Sequence, residues 1–439
     1  MESNISNNIS EIKENIGYKD VFRQREYLKM IAANLINRFG DSIDAIAMTW
    51  VVYVITGSAS WSALVYALNR IPSIIVQPLA GPLVEKLNKK VIMIITDVLR
   101  GCFVGLFALL YILGILEPWM IAVLSLCIST AEAFRMPAGM AFIRQIIDMK
   151  YFTYASSLNS TACTITELIG MGTAGVIIAS FGIGTAIGID AITFFASSLI
   201  IGCIKPIRNL KKPELMNNAG CDRGHTGSSK NQFQEYMSTL KEGFAYIKNV
   251  EVIRNFCIMA VLTNAVLVPY SALQSPLVSE VLKQGSNMLS ILGISLSIGM
   301  AVGAVIFPYL RKRFSPLKLV STGGIVTGTA YGGLIIGSFF PHNMTAVLGI
   351  TILSSLFMGI GIAFVSSVVS VQFMKAVSED YMARVGAIFN ALGTSAMPVV
   401  SFIISITASF LNTRIIILAS GTICVIIFLY IGIRKVKME

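Results

Sequence analysis

Apolar stretches of about twenty residues recur along the whole of this 439-residue chain. Each is the length of an α-helix that crosses the hydrocarbon core of a bilayer. They predict helices at about 29–56, 61–84, 91–114, 118–142, 157–180 and 185–205, then at about 252–280, 288–310, 318–340, 345–373, 385–411 and 414–433. The expectation is an all-α integral membrane fold of about twelve transmembrane helices. The one long polar stretch, 206–251, divides them six from six. Its first part (Asn217 to Lys230) is flexible in composition. Its second part, Gln234 to Lys248, spaces Leu240, Phe244 and Ile247 along one face of an amphipathic helix suited to a membrane surface. The expected organisation is a tail at 1–28, a six-helix bundle at 29–205, a linker at 206–251, a second bundle at 252–433 and a tail at 434–439.

Composition agrees with that pattern. Hydrophobic residues make up 55% of the chain and charged residues only 13%, half the share that a soluble surface needs. The net charge of +11 is dispersed over loops. Lys and Arg gather on the side of the N-terminus: Lys86 to Lys90, Arg144 with Lys150, the 206–251 linker, Arg311 to Arg313, Lys375 with Arg384, and Arg434 to Lys437. The opposite side keeps Lys283 and Arg414. The positive-inside rule makes the basic side cytoplasmic, and an even helix number puts both termini there. The chain is therefore expected in a cell membrane as a multi-pass protein, and its basicity calls for no nucleic-acid partner. Residues 1–28 mix both signs of charge and lack an apolar core, as a cytoplasmic tail does and a signal peptide does not. The seven cysteines show no metal-type spacing and serve as small apolar fillers.

A six-plus-six layout with a central linker is the two-half plan of many secondary transporters. An internal echo accompanies it, since Gly81-Pro-Leu-Val-Glu-Lys-Leu-Asn-Lys-Lys90 closes the second helix and Arg311-Lys312-Arg313 closes the eighth. The 81–90 segment resembles the major facilitator signature Gly-x-Leu-x-Asp-Arg-x-Gly-Arg-Lys. Gly81, Leu83, Glu85, Lys86, Lys89 and Lys90 match by identity or charge, and Asn88 replaces the second glycine. Further stretches resemble the drug–proton antiporters that include macrolide efflux proteins. They are Phe39-Gly40-Asp41 with Thr56-Gly57-Ser58, Asp97-Val-Leu-Arg100, Phe134-Arg-Met-Pro-Ala138, Gly188-Ile-Asp-Ala-Ile-Thr-Phe194, Glu242-Gly243 and Arg384-Val-Gly386. The ordered set covers essentially the whole chain. One departure is Gly170-Met-Gly-Thr-Ala-Gly175, which keeps the glycines of the exporter pattern on the fifth helix without its proline. The resemblance implies a monomeric proton-coupled exporter.

A charge inside hydrocarbon costs at least about 2.5–3.5 kcal/mol, so each intramembrane charge needs a reason. In the first helix Arg38, Asp41 and Asp44 stand at i, i+3 and i+6, with Asn34 and Asn37 extending the polar stripe. Asp41 lies about 18 Å from the cytoplasmic end, near the midplane. Glu167 and Arg70 come out at similar depth. These five charged residues are the candidates for a proton-coupling and substrate cavity. A carboxylate in a low-dielectric cavity can take up a proton near neutral pH, and a static Arg–Asp pair that fixes helix packing is the other use open to it. Arg70 does not titrate and would tune the acids. Gly81, Glu85, Lys89, Lys90, Asp97 and Arg100 are expected to form a cytoplasmic gate. Glu132 and Arg135, one turn apart, are expected to pair with each other. Asp190 is expected near the outer face in a packing role, which the family resemblance implies, and Glu280 in solvent at an outer helix end.

Helices 8 to 12 contain no carboxylate. Their polar residues, such as Ser366, Ser367, Ser370, Gln372 and Asn390, would present a weakly polar wall suited to a lipophilic ligand. Gly324, Gly328 and Gly332 on the ninth helix give the small-residue spacing of close helix contact. His225 and His342 lie in a linker and a short loop, so neither is an intramembrane base. A phosphate-cradling Gly-x-x-x-x-Gly-Lys-Ser/Thr loop is absent. The reading is of a non-enzymatic transporter without cofactor or metal, whose partners are a small lipophilic substrate, protons and membrane lipids. Export of a macrolide or multidrug-type compound, export of an endogenous siderophore or peptide-like product, and lipid flipping all fit this scaffold.

Overall fold

The computed structural model describes residues 18–148, 151–205, 244–340, 343–377 and 382–434. Twelve helices of at least 20 residues carry the fold. They are α1 (Arg25–Thr56), α2 (Ala59–Lys86), α3 (Lys89–Ile112), α4 (Pro118–Ile146), α5 (Phe152–Phe181), α6 (Ile183–Gly202), α7 (Glu251–Ala272), α8 (Asn287–Arg311), α9 (Pro316–Gly337), α10 (Met344–Ala376), α11 (Met382–Thr407) and α12 (Thr413–Ile433). Among the described residues, eleven of these helices are long and apolar enough to cross a membrane. The described residues contain no strand. A short helix, Tyr18–Phe22, precedes α1. Most of the expected linker, 206–243, lies outside the described residues, as does His342.

Helix ends follow local chemistry. Gly57 and Gly182 take positive φ (58° and 83°), which lets the chain reverse after α1 and between α5 and α6. Asn88 caps α3 by accepting from the N–H groups of Lys90 and Val91. The stretch 252–280, expected as one helix, stops at Ala272. Pro269 removes a backbone donor there, and a turn at Gln274–Pro276 and a π-helical turn at Leu277–Val281 follow.

The helix contacts repeat. In the first set, α1 packs on α5 and α6, α2 on α4, and α3 on α4 and α6. In the second, α7 packs on α11 and α12, α8 on α10, and α9 on α10 and α12. Adding six to each number of the first series yields the second. The two joints between the sets, α2 with α11 and α5 with α8, exchange under the same operation. This is an internal structural repeat of the kind that secondary transporters use.

Both ends of the described chain lie at one end of the bundle. Lys205 donates its backbone N–H to Glu26 (2.6 Å), and Lys29 donates to the carbonyl of Cys203 (3.1 Å), so the start of α1 and the end of α6 meet. At that same end, Gly432 of α12 packs on Ser321 near the start of α9. We call this the terminal end and the opposite one the far end.

Candidate functional site

The charged centre is built from α1 and its neighbours. Arg38 donates Nε and Nη2 to one oxygen of Glu167 on α5 (3.1 and 2.5 Å). Both side chains are partly exposed, at 45% and 34%. Asp41 accepts from Nη2 of Arg100 on α3 at 2.8 Å, and Glu132 on α4 lies 3.9 Å from the same nitrogen. The guanidinium of Arg100 also sits 4.1 Å over the ring of Phe194 on α6, a cation–π contact in a nearly dry site.

Asp97 and Arg135 form a second centre. Asp97 is fully buried and accepts from Arg135 Nε (2.6 Å), Ser197 Oγ (2.8 Å) and Asn37 Nδ2 (3.3 Å). Three donors make it a well-supported carboxylate. Glu132 and Arg135 therefore do not pair as expected. Each is drawn across to α3, because buried Asp97 offers Arg135 a better partner than the half-exposed Glu132 on its own helix. The expected gate also divides. Lys90 donates to the carbonyls of Gly202 and Ile204 (2.7 and 2.8 Å) and so caps the end of α6. Asp97 and Arg100 lie two to three turns deeper, inside the bundle, because their partners are the buried groups of α1, α4 and α6. The side chains of Gly81 and Glu85 lie outside those described.

Asp190 stands in the third turn of α6, two turns deeper than its expected place at the helix start, and is 1% exposed. Its Oδ1 and the hydroxyl of Thr193 occupy the space that a side chain at Gly40 would take, so α6 closes directly on α1 beside Asp41. Thr193 has one hydroxyl hydrogen and two acceptors nearby: the Asp190 carbonyl at 2.7 Å and Asp190 Oδ1 at 3.2 Å. The carbonyl is the closer. Asp190 lies within electrostatic reach of Asp44, Asp41 and Arg100, but forms no ion pair among the described residues. Asp44 likewise forms no ion pair among the described residues, although Arg100 is within electrostatic reach, and its Oδ1 is buried without a hydrogen-bond partner. Arg100 Nε, Arg135 Nη2 and Asn37 Oδ1 are buried and unpartnered too. Each such atom carries a desolvation cost of about 1–3 kcal/mol, so this centre is not optimised for static packing.

Arg70 does not join this group. It is exposed, 5.1 Å over the ring of Tyr66 on its own helix, and forms no ion pair among the described residues.

The second set contrasts with the first. α9 lies in close contact with two helices. Gly324 and Gly328 face Phe428, Val425 and Gly421 of α12, and Gly323 faces Gly361 of α10. Gly299 and Gly359 similarly join α8 to α10 backbone against backbone.

The two sets are latched at the far end. Ser405 and Ser60 bond each other's carbonyls (3.0 and 2.6 Å), and Ser401 donates to Ala63 (2.6 Å). Ser275, in the break after α7, donates to the Thr49 carbonyl at 2.7 Å. Glu280 is exposed but not merely solvated, as it accepts from Tyr53 of α1 (3.0 Å) and Thr413 of α12 (2.6 Å).

Two repeated helical sets around a charged centre, latched at one end, define a helical membrane transporter. The chain belongs to the Major Facilitator Superfamily, whose family model matches residues 30–401. It is 20% identical over 373 residues to macrolide efflux protein A of Streptococcus pyogenes, covering 85% of this chain and 86% of that one. It is 22% identical over 309 residues to the multidrug efflux pump Tap of Mycolicibacterium fortuitum, covering 68% and 71%. The crystal structure of the nucleoside transporter NupG superposes with a TM-score of 0.70 over 92% of this chain and 98% of that one, at 14% identity. Family and fold are those of multi-pass membrane transporters, not of enzymes.

Proposed function

We propose that the protein exports lipophilic small molecules, of the macrolide or multidrug type, in exchange for protons by alternating access. The bundles at 29–205 and 252–433 rock as units about the α2–α11 and α5–α8 joints, with the terminal end in the cytoplasm and the chain acting as a monomer. The far-end latch then closes the external side.

The observation that carries this reading is the charge ledger of the first set. Six carboxylates (Asp41, Asp44, Asp97, Glu132, Glu167 and Asp190) share three guanidinium groups (Arg38, Arg100 and Arg135). An uncompensated buried charge is far costlier than a neutral acid. Asp97 has a cation and two further donors, and serves as the fixed charge. Asp44 and Asp190 form no ion pair among the described residues, since the nearby Arg100 is engaged by Asp41. They are the groups that carry protons, while the Asp41–Arg100 and Arg38–Glu167 pairs open and close with them. The second set, whose helices α8 to α12 contain no carboxylate, supplies the apolar wall for cargo. Similarity to efflux proteins over most of the chain favours the outward direction.

Reconstituted protein should accumulate a macrolide or a lipophilic cation against its gradient when a proton gradient is imposed, and Asp41→Asn and Glu167→Gln should weaken that coupling. Scrambling of labelled lipid without such accumulation would refute export. Unchanged proton dependence in both variants would refute their part in it.

A further inference from the structure

A cavity of about 560 Å³ opens at the terminal end of the second set, between the end of α8, the following turn and the first turns of α9. That volume lies within the range of small-ligand pockets. Its walls are Leu310, Phe314, Leu317, Leu319 and Phe364, and the Oγ of Ser321 inside it is buried without a hydrogen-bond partner. The rim is cationic. Lys318 lines it and is exposed. Arg311 donates Nη1 to the carbonyl of Phe314 at 3.3 Å, which holds a second cation beside the opening. Lys312 and Arg313 follow in the same turn. The start of α9, with Pro316 in its first turn and Ser315 as cap, adds the positive end of a 22-residue helix.

An apolar trough with a cationic lip among the described residues, at the end of a membrane helix, matches an amphiphile with an anionic head. We propose that this cavity binds an anionic phospholipid, with an acyl chain against Leu310, Phe314 and Phe364 and the phosphate against Arg311 and Lys318. Polar solutes do not fit, because the walls offer few hydrogen-bonding groups. A zwitterionic lipid fills the trough but gains less from the lip, because its ammonium offsets the charge of its phosphate. The site is separate from the charged centre of the first set and does not depend on what that centre transports.

The test is native mass spectrometry of the full chain in detergent, titrated with phosphatidylglycerol and with phosphatidylcholine of the same acyl chains. The preference for phosphatidylglycerol should fall about fivefold for each rim cation removed, in Lys318→Gln and in Arg311→Gln. Lys375→Gln, an exposed lysine away from the cavity, should leave the preference intact. Thr322→Trp fills the trough and should weaken both lipids. Equal binding of the two lipids by the parent overturns the proposal. So does a preference that Lys375→Gln lowers as much as Lys318→Gln, which would mark a diffuse basic surface. Lys318 is exposed, so its variant supplies the decisive reading even if the others fold poorly.

Discussion

The two six-helix sets share one contact plan and use opposite chemistry to fill it. In the first, α1, α3, α4, α5 and α6 meet through Arg38, Asp41, Asp97, Arg100, Glu132, Arg135, Glu167 and Asp190. In the second, α8, α9 and α10 meet through glycine, with backbone on backbone at Gly299 and Gly359 between α8 and α10 and at Gly323 and Gly361 between α9 and α10. Ion pairs of unequal charge can be rearranged by a proton. A glycine contact has one good geometry and responds to nothing that titrates. On the proposed mechanism the repeat divides labour: one half senses, the other holds shape and faces the cargo.

Breaking each half should cost differently. Arg100→Gln strands Asp41 and leaves Glu132 without a neighbour, so about 3–5 kcal/mol of stability should go, read as a lowered unfolding midpoint in detergent. In the second set Gly359→Leu drives a side chain into the Leu296 carbonyl and should cost about 1–3 kcal/mol without altering proton dependence in whatever folds. Ser401→Ala removes one rung of the far-end latch, worth about 0.5–1.5 kcal/mol, and should raise the labelling rate of a cysteine placed at the external face. Asp44→Asn and Asp190→Asn should change stability least, by under about 1 kcal/mol, because an amide replaces a carboxyl that carries a proton. A large loss of stability in either would mean that the acid is ionised and structural.

Much of the fold was legible in the sequence because a bilayer demands long apolar runs, and these stand out without any tertiary knowledge. The break after Ala272 was not, since Pro269 within an apolar stretch is compatible with a kinked helix as well as with an end. The site was legible as a set of residues, not as a set of partners. Arg135 and Glu132 are neighbours along one helix, and nothing in one sequence says that Asp97 of α3 faces Arg135 more squarely. Asp190 was underestimated for the same reason. Its motif with Thr193 and Phe194 was visible, but its depth depends on α6 closing against Gly40, which only packing reveals. Arg70 shared the depth of Asp41 by residue count, yet its side chain turns to Tyr66.

Proton flux measured beside substrate flux in proteoliposomes, with Asp44→Asn/Asp190→Asn compared to the parent, tests the central claim most directly. The parent should alkalinise or acidify the lumen in proportion to the lipophilic substrate moved. The double variant should still exchange substrate down its gradient, but should lose accumulation driven by a pH difference. Accumulation by the double variant with the parent's dependence on that difference would contradict the account.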